Sequence, residues 1–199
     1  MGNNPTKEDV AYPAAVEIGG MRFVPMIGPE ELRKGIAGVA GGLSGRYADH
    51  FPLLVCVLNG AAIFHADLAR MMPFPLQLDY IRVSSYQGGM ESSGTIIFTT
   101  ECSTQITGRH VIICEDIVDT GRTAERLKRY FTDGGAASVT VAALLYKREA
   151  DLVGAPPEYV AFEIPDRFVI GFGLDYMQEG RNLPAVYVLD DTPPDEALP

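Results

Sequence analysis

The chain is short of the features that mark several protein classes. Among its 199 residues are three cysteines and three histidines. Cys56, Cys102 and Cys114 form no C-x-x-C pair and have no histidine beside them in a ligand pattern. An odd count without such spacing argues against a disulfide framework or a structural zinc site. Cys56 and Cys114 lie inside apolar runs and read as small buried hydrophobes. No apolar stretch approaches the length that spans a bilayer, because Gly, Pro or charge breaks each one. Positive charge is also scarce: 16 Lys and Arg stand against 26 Asp and Glu, a net charge of −10. A field of that sign repels a phosphate backbone, so nucleic-acid binding is not expected as a general function. A small phosphorylated substrate, held by local donors and a metal, is still compatible with it. Met1 to Tyr12 lacks the basic-then-apolar pattern of a signal peptide, so a cytoplasmic address is expected.

What is present fits one soluble domain with a real core: 47% hydrophobic and 21% charged residues, with no internal repeat. Residues 1–15 and the acidic, Pro-rich 191–199 are expected to be mobile ends around a single domain at 16–190. Gly28-Pro29-Glu30-Glu31 has the form of a helix start. Leu32, Ile36, Val39, Leu43 and Tyr47 follow at helical spacing. Gly35, Gly38, Gly41 and Gly42 weaken that helix, each by up to about 1 kcal/mol relative to Ala. Pro52–Leu58 is an unbroken apolar run, as in a strand covered on both faces. Asn59-Gly60 breaks it, and Ala62–Met72 reads as helix. Leu76–Val83 reads as strand, Ser84–Gly94 as a long Gly- and Ser-rich loop, and Thr95–Thr100 as strand. Arg109–Cys114 is a further buried strand, Thr123–Thr132 a helix and Ser138–Tyr146 a strand. Short β segments are expected at Tyr159–Phe162, Phe168–Phe172 and Ala185–Leu189. Strands alternating with helices predict a parallel, doubly wound α/β sheet with ligands at the carboxyl ends of its strands.

One segment concentrates the chemistry. Val111-Ile112-Ile113-Cys114-Glu115-Asp116-Ile117-Val118-Asp119-Thr120-Gly121-Arg122-Thr123 runs from a buried strand, through two adjacent carboxylates, into a loop and a helix start. Orphan N–H groups and the positive end of the helix dipole make such a junction a phosphate cradle. Gly121 permits close backbone approach. A carboxylate pair beside a phosphate needs hydroxyl donors or a divalent cation, and Mg²⁺ suits both because it binds few carboxylates and keeps substrate oxygens. Asp-Thr-Gly alone would be read as ordinary helix capping by Asp119 or Thr120; the thirteen-residue pattern is far more specific.

That pattern resembles the signature of the purine phosphoribosyltransferases of the type I fold, and the resemblance extends from about Phe51 to Leu189. Val57-Leu58-Asn59-Gly60-Ala61 is similar to the family's pyrophosphate loop, with Asn59 where Lys or Arg is common. Ser85-Tyr86 is similar to the opening of its mobile active-site loop. Leu144-Leu145-Tyr146-Lys147-Arg148 resembles the strand that ends in the base-reading lysine. Phe162-Glu163-Ile164-Pro165-Asp166-Arg167-Phe168-Val169-Ile170-Gly171, followed by Leu174-Asp175-Tyr176, resembles the hypoxanthine-guanine branch. The fold implied is a parallel doubly wound sheet of the type I kind, with a small hood of short β segments drawn from the chain ends, mainly 159–190. The reaction implied joins hypoxanthine or guanine to phosphoribosyl pyrophosphate, with Mg²⁺, to give IMP or GMP and pyrophosphate through an oxocarbenium-like transition state.

The resemblance also implies roles. Asp119 would be the general acid/base facing purine N7. Glu115 and Asp116 would hold the ribose hydroxyls, directly or through Mg²⁺. Thr120, Gly121, Arg122 and Thr123 would bind the 5-phosphate, and Asn59, Gly60 and Arg181 the pyrophosphate. Lys147, Phe168, Val169 and Asp175 would bind the base, and Asp175 a second Mg²⁺. Ser85 and Tyr86 would open a lid that excludes water. The partners implied are small-molecule substrates and further copies of the chain, as a homodimer or homotetramer, with no nucleic acid and no membrane. Without the family pattern, Lys147 and Arg181 would read as surface charges and Phe168 and Val169 as core. A regulator that senses phosphoribosyl pyrophosphate and binds RNA is the rival from another class. The sequence pI near 4.7 and the absence of a basic run count against it.

Overall fold

The structure is a computed structural model that describes residues 12–85 and 96–191. The expectations for residues 1–11, 86–95 (Tyr86 among them) and 192–199 lie outside the described residues. The elements are β1 (Val16–Ile18), β2 (Met21–Ile27), α1 (Pro29–Tyr47), β3 (Leu53–Leu58), α2 (Ala62–Met71), β4 (Gln77–Ser85), β5 (Ile96–Thr100), β6 (His110–Val118), α3 (Arg122–Asp133), β7 (Ser138–Tyr146), β8 (Tyr159–Glu163), β9 (Val169–Ile170) and β10 (Val186–Leu189).

The larger sheet has the order β5-β4-β3-β6-β7-β8. All its pairings are parallel except that of β5 with β4. Alternation along β3 splits its side chains between two layers. Leu54 packs with α1 and α2 on one face, while Leu53, Val55 and Val57 pack with Ala124, Leu127 and Phe131 of α3 on the other. The expected doubly wound sheet is therefore present, with an antiparallel edge strand added. The stripe Leu32, Ile36, Val39, Leu43 and Tyr47 is buried throughout, joined by Ala40. Two of the glycines that weaken α1 have a packing reason: a Cβ at Gly35 would overlap the Phe162 ring, and one at Gly42 would crowd Tyr159. Among the described residues no helix is long and apolar enough to cross a membrane.

A second, antiparallel sheet of order β1-β2-β10-β9 sits at the carboxyl end. Its first hairpin turns at Gly19-Gly20, both with positive φ, just beyond the Ile18↔Met21 pairing. Phe23, Ile170, Ala185 and Tyr187 form its own small core. The segment Tyr159–Glu163 does not join this sheet; it pairs with β7 at the edge of the larger one. Three sequence expectations change in extent. The strand expected at Leu76–Val83 becomes Gln77–Ser85 and takes Ser84 and Ser85 from the expected loop. Phe168–Phe172 shortens to Val169–Ile170, because Gly171, Phe172 and Gly173 all take positive φ and turn the chain. The strand expected to end at Cys114 continues to Val118, because β7 supplies partners as far as Val118↔Tyr146. Glu115 and Asp116 are thus strand residues rather than loop residues.

Candidate active site

At the carboxyl end of β6 the chain passes through Asp119 and Thr120 to Gly121, whose φ of 77° makes it the left-handed N-cap of α3. A residue with a Cβ is strained in that region, which is why glycine occupies it. No side chain caps the helix, so the capping by Asp119 or Thr120 considered above does not occur. The first-turn N–H groups are left without a side-chain acceptor, and the helix dipole adds positive potential there. A cavity at this point is lined by Glu115, Ile117, Val118, Asp119, Thr120, Gly121, Thr123 and Ala124. Its position suits an anion.

Glu115 of the carboxylate pair is held out of water, and Asp116 is half-buried. Glu115 is 4% exposed and its Oε1 has no hydrogen-bond partner among the described residues. Burial, and secondarily Asp116, push the Glu115 carboxyl well above the usual range. Asp116 is raised too, chiefly by burial, although the Ile117 N–H donates to its Oδ1 at 2.9 Å. A buried and a half-buried carboxylate side by side, one with an orphaned oxygen, are costly unless a cation or hydroxyl donors complete them. Among the described residues no three His, Cys, Asp or Glu side chains gather as a ligand set.

A neighbouring cavity is lined by Asp116, Ile117, Asp119, Lys147, Phe168, Val169, Leu174 and Asp175. The Lys147 ammonium lies 3.0 Å from Asp166 Oδ1 and 3.4 Å from Asp119 Oδ2, on a side chain only 10% exposed. Its backbone N–H donates to Val118 O at 3.0 Å, which continues the β6–β7 pairing and brings the lysine to the cavity. Phe168 is 43% exposed and stands edge-on to Tyr176, with ring centroids 5.7 Å apart.

The loop after β9 roofs this region. Arg181 pairs with Asp175 at 2.6 Å and donates to Gly173 O at 2.7 Å. Asp175 also accepts from the Gln178 N–H at 2.9 Å. Gly173 presses on the Gly60 carbonyl and Gly60 on the Asp116 carboxylate, each so closely that a Cβ would overlap. The Leu58–Asn59 peptide bond at the end of β3 is cis.

The structure thus gathers Glu115, Asp116, Asp119, Thr120, Gly121, Thr123, Lys147, Phe168, Val169 and Asp175 around two adjoining cavities. Gly60 and Arg181 lie in the adjacent loops, while Asn59 and Arg122 are exposed and line neither cavity. Ser85 ends β4. Sequence reasoning missed Ile117, which lines both cavities, and Leu174, which lines the second. Alternation from Asp119 back to Ile117 was the available signal for the first. It also missed Asp166, whose pairing with Lys147 spans 19 residues and has no local signature.

Comparison with known proteins adds to this geometry. Residues 28–177 match the model of the phosphoribosyl transferase domain family. A hypoxanthine-guanine phosphoribosyltransferase of Streptococcus pneumoniae is 39% identical over 166 residues, covering 83% of this chain and 92% of that protein. The corresponding protein of Bacillus subtilis is 38% identical over 164 residues, covering 82% and 91%. Among solved structures, a hypoxanthine phosphoribosyltransferase from Staphylococcus aureus superposes with a TM-score of 0.80 at 31% identity, over 83% of this chain and 90% of that one. A hypoxanthine-guanine phosphoribosyltransferase from Bacillus anthracis gives 0.80 at 32% identity, over 83% and 98%.

Proposed function

The chain belongs to the phosphoribosyl transferase family, and from that premise we propose that it is a purine-salvage enzyme joining hypoxanthine or guanine to phosphoribosyl pyrophosphate. The observation that carries this reading is the adjacency of the two cavities, which share Ile117 and Asp119. One suits a phosphate at a helix N-terminus, and the other a flat ring under a lysine. A nucleotide bridging them puts its glycosidic bond near Asp119.

In the forward reaction the C1–O bond to pyrophosphate breaks and the C1–N9 bond to the base forms. Charge develops on the ribose ring, so positioning and electrostatics supply most of the acceleration. Thr120, Gly121 and Thr123, with the first-turn N–H groups of α3, bind the 5-phosphate; Arg122 adds positive charge at the rim. Glu115 and Asp116 take the ribose hydroxyls, which gives the orphaned Glu115 oxygen a donor. Asp119 sits at N7 and exchanges a proton there as general acid/base. Phe168 stacks on the base, the Val169 backbone meets its edge, and Lys147 donates to O6. Lysine has only donors to offer, so it opposes the 6-amino group of adenine. Asn59, Gly60 and Arg181 hold the pyrophosphate. Glu115 and Asp116 would hold one Mg²⁺ on the ribose side and Asp175 a second one; when bound, the metal offsets the charge of the leaving pyrophosphate.

The test is a steady-state assay with phosphoribosyl pyrophosphate and Mg²⁺, offering hypoxanthine, guanine, xanthine and adenine separately, with Asp119→Asn alongside. Turnover of hypoxanthine or guanine, inert adenine and a kcat loss of about 10²- to 10⁴-fold in the variant are expected. No turnover of any purine by the wild type would overturn the reading.

A further inference from the structure

The segment after β7 carries an acid that none of the roles above uses. Asp151 follows a single 3-10 turn, Arg148–Ala150, and its carboxylate is saturated with donors. Oδ1 accepts from the N–H groups of Val153 and Gly154 at 2.9 and 3.0 Å, and Oδ2 accepts from the Tyr146 hydroxyl at 2.8 Å. Tyr146 is the last, buried residue of β7, so the carboxylate ties the turn to the sheet. Burial works to raise the Asp151 carboxyl, but these three donors together hold it below its ordinary value.

This tethered turn lies against the phosphate loop. Lys147 N donates to Val118 O at 3.0 Å, and five residues on Leu152 N donates to Thr120 O at 3.2 Å. Between those bonds the turn runs alongside the chain that leads into α3. Gly121 packs directly on the acid: a Cβ there would come within 2.7 Å of Asp151 Oδ1 and 3.2 Å of Val153 Cβ.

The consequence follows from peptide geometry. Among the described residues only the Leu58–Asn59 peptide is cis, so the peptide between Thr120 and Gly121 is trans, and its C=O and N–H point in opposite directions. Its carbonyl is claimed by Leu152. The Gly121 N–H is therefore turned away from the 151–154 turn, toward the side where Thr120, Gly121 and Thr123 line the first cavity.

We propose that Asp151 is a positioning residue for the 5-phosphate: by fixing the 151–154 turn it holds Leu152 on Thr120 and so aims the Gly121 N–H into the cavity. The proposal rests on the reading above that this cavity takes the 5-phosphate. It assigns Asp151 no contact with substrate. It also accounts for a carboxylate beside an anion site, because three protein donors share its charge.

The test compares Asp151→Ala, Asp151→Asn and Tyr146→Phe with the wild type in both reaction directions, with thermal unfolding to verify folding. Small displacements of substrate-holding groups can cost up to about 10²-fold, and loss of one aimed donor in a shared cradle is expected to cost less. Asp151→Ala should raise KM about tenfold for both ligands that carry a 5-phosphate, phosphoribosyl pyrophosphate and IMP. KM for hypoxanthine and for pyrophosphate should stay within about twofold. Asp151→Asn keeps an acceptor for both N–H groups and a partner for the Tyr146 hydroxyl, so it should restore KM to within about threefold of wild type. Tyr146→Phe should fall between the two. Equal rises in all four KM values, an unchanged KM for phosphoribosyl pyrophosphate in folded Asp151→Ala, or an Asn variant as impaired as the Ala variant would each overturn the proposal. Should Asp151→Ala not fold, an unchanged KM in Tyr146→Phe overturns it as well. A wild type inactive on every purine would instead overturn the functional reading, so the two failures are distinguishable.

Discussion

Replacing Lys147 with Gln separates reading the base from holding the fold. The ammonium has two carboxylate neighbours, Asp166 at 3.0 Å and Asp119 at 3.4 Å, but those side chains are 57% and 49% exposed. Ion pairs that wet contribute about 1 kcal/mol or less each. Glutamine also retains much of the aliphatic stem, so the fold should lose no more than about 2 kcal/mol. The substrate side is larger. A hydrogen bond from a charged donor contributes about 1.5–3 kcal/mol, and about 1.4 kcal/mol is tenfold in an equilibrium or rate ratio. Lys147→Gln should therefore lower kcat/KM for hypoxanthine by about 10- to 150-fold. KM for phosphoribosyl pyrophosphate should move less than about threefold, since Lys147 lines the second cavity and not the first. Because the glutamine amide can also accept, the preference for hypoxanthine over adenine should narrow. The assay is a steady-state matrix of both bases against both proteins, with urea unfolding as the stability control. Parallel rises in the two KM values, or an unaltered preference over adenine, would refute the assignment of Lys147 to O6.

Two further perturbations address the rest of the site. Burial and Asp116 hold the Glu115 carboxyl well above its ordinary value of 4.5, so above that pH the folded state keeps a proton that the unfolded chain releases. Stability contributed by the protonated form is present below pH 4.5 and is lost as pH rises toward the folded value. Glu115→Gln removes that dependence: its Tm without substrate should exceed that of the wild type at pH 8, with the gap closing near pH 4.5, while kcat falls. A Tm offset independent of pH would contradict the buried-carboxylate argument. Phe168 is 43% exposed, so Phe168→Ala should destabilise by well under the about 3–5 kcal/mol of a fully buried ring. Losing a stacking platform worth about 1–3 kcal/mol should raise KM for guanine and hypoxanthine about 5- to 150-fold, and a KM unchanged for both bases in calorimetric and kinetic titrations would remove it from the base site.

What the sequence discloses and what it withholds follow from the range of the interaction involved. The stripe of Leu32, Ile36, Val39, Leu43 and Tyr47 repeats within one helix, and those residues are buried together against the sheet. The phosphate loop is equally local, since a glycine at φ 77° and the N–H groups after it need only their own neighbours. The hairpin of β1 and β2 was also within reach, through Gly19-Gly20 between alternating apolar residues. The length of β6 was not, because it is set by β7, more than twenty residues away, which keeps the ladder going through Glu115 and Asp116. That extension explains why Glu115 is buried and Asp116 half-buried rather than both being solvated. Carboxylates in a loop would meet water, whereas in a strand that β7 still pairs beyond the end of the β3 ladder at Cys114, Glu115 meets the protein interior and Asp116 is half-buried. The lysine shows the same division. Its place after an apolar strand is written in the sequence, but its direction depends on Asp119 and Asp166, 28 and 19 residues away. An acid's role in this fold thus turns on which N–H or ammonium reaches it across the chain. Asp151, Asp166 and Asp119 are alike in composition, yet the first meets donors from its own turn and β7, and the other two meet Lys147.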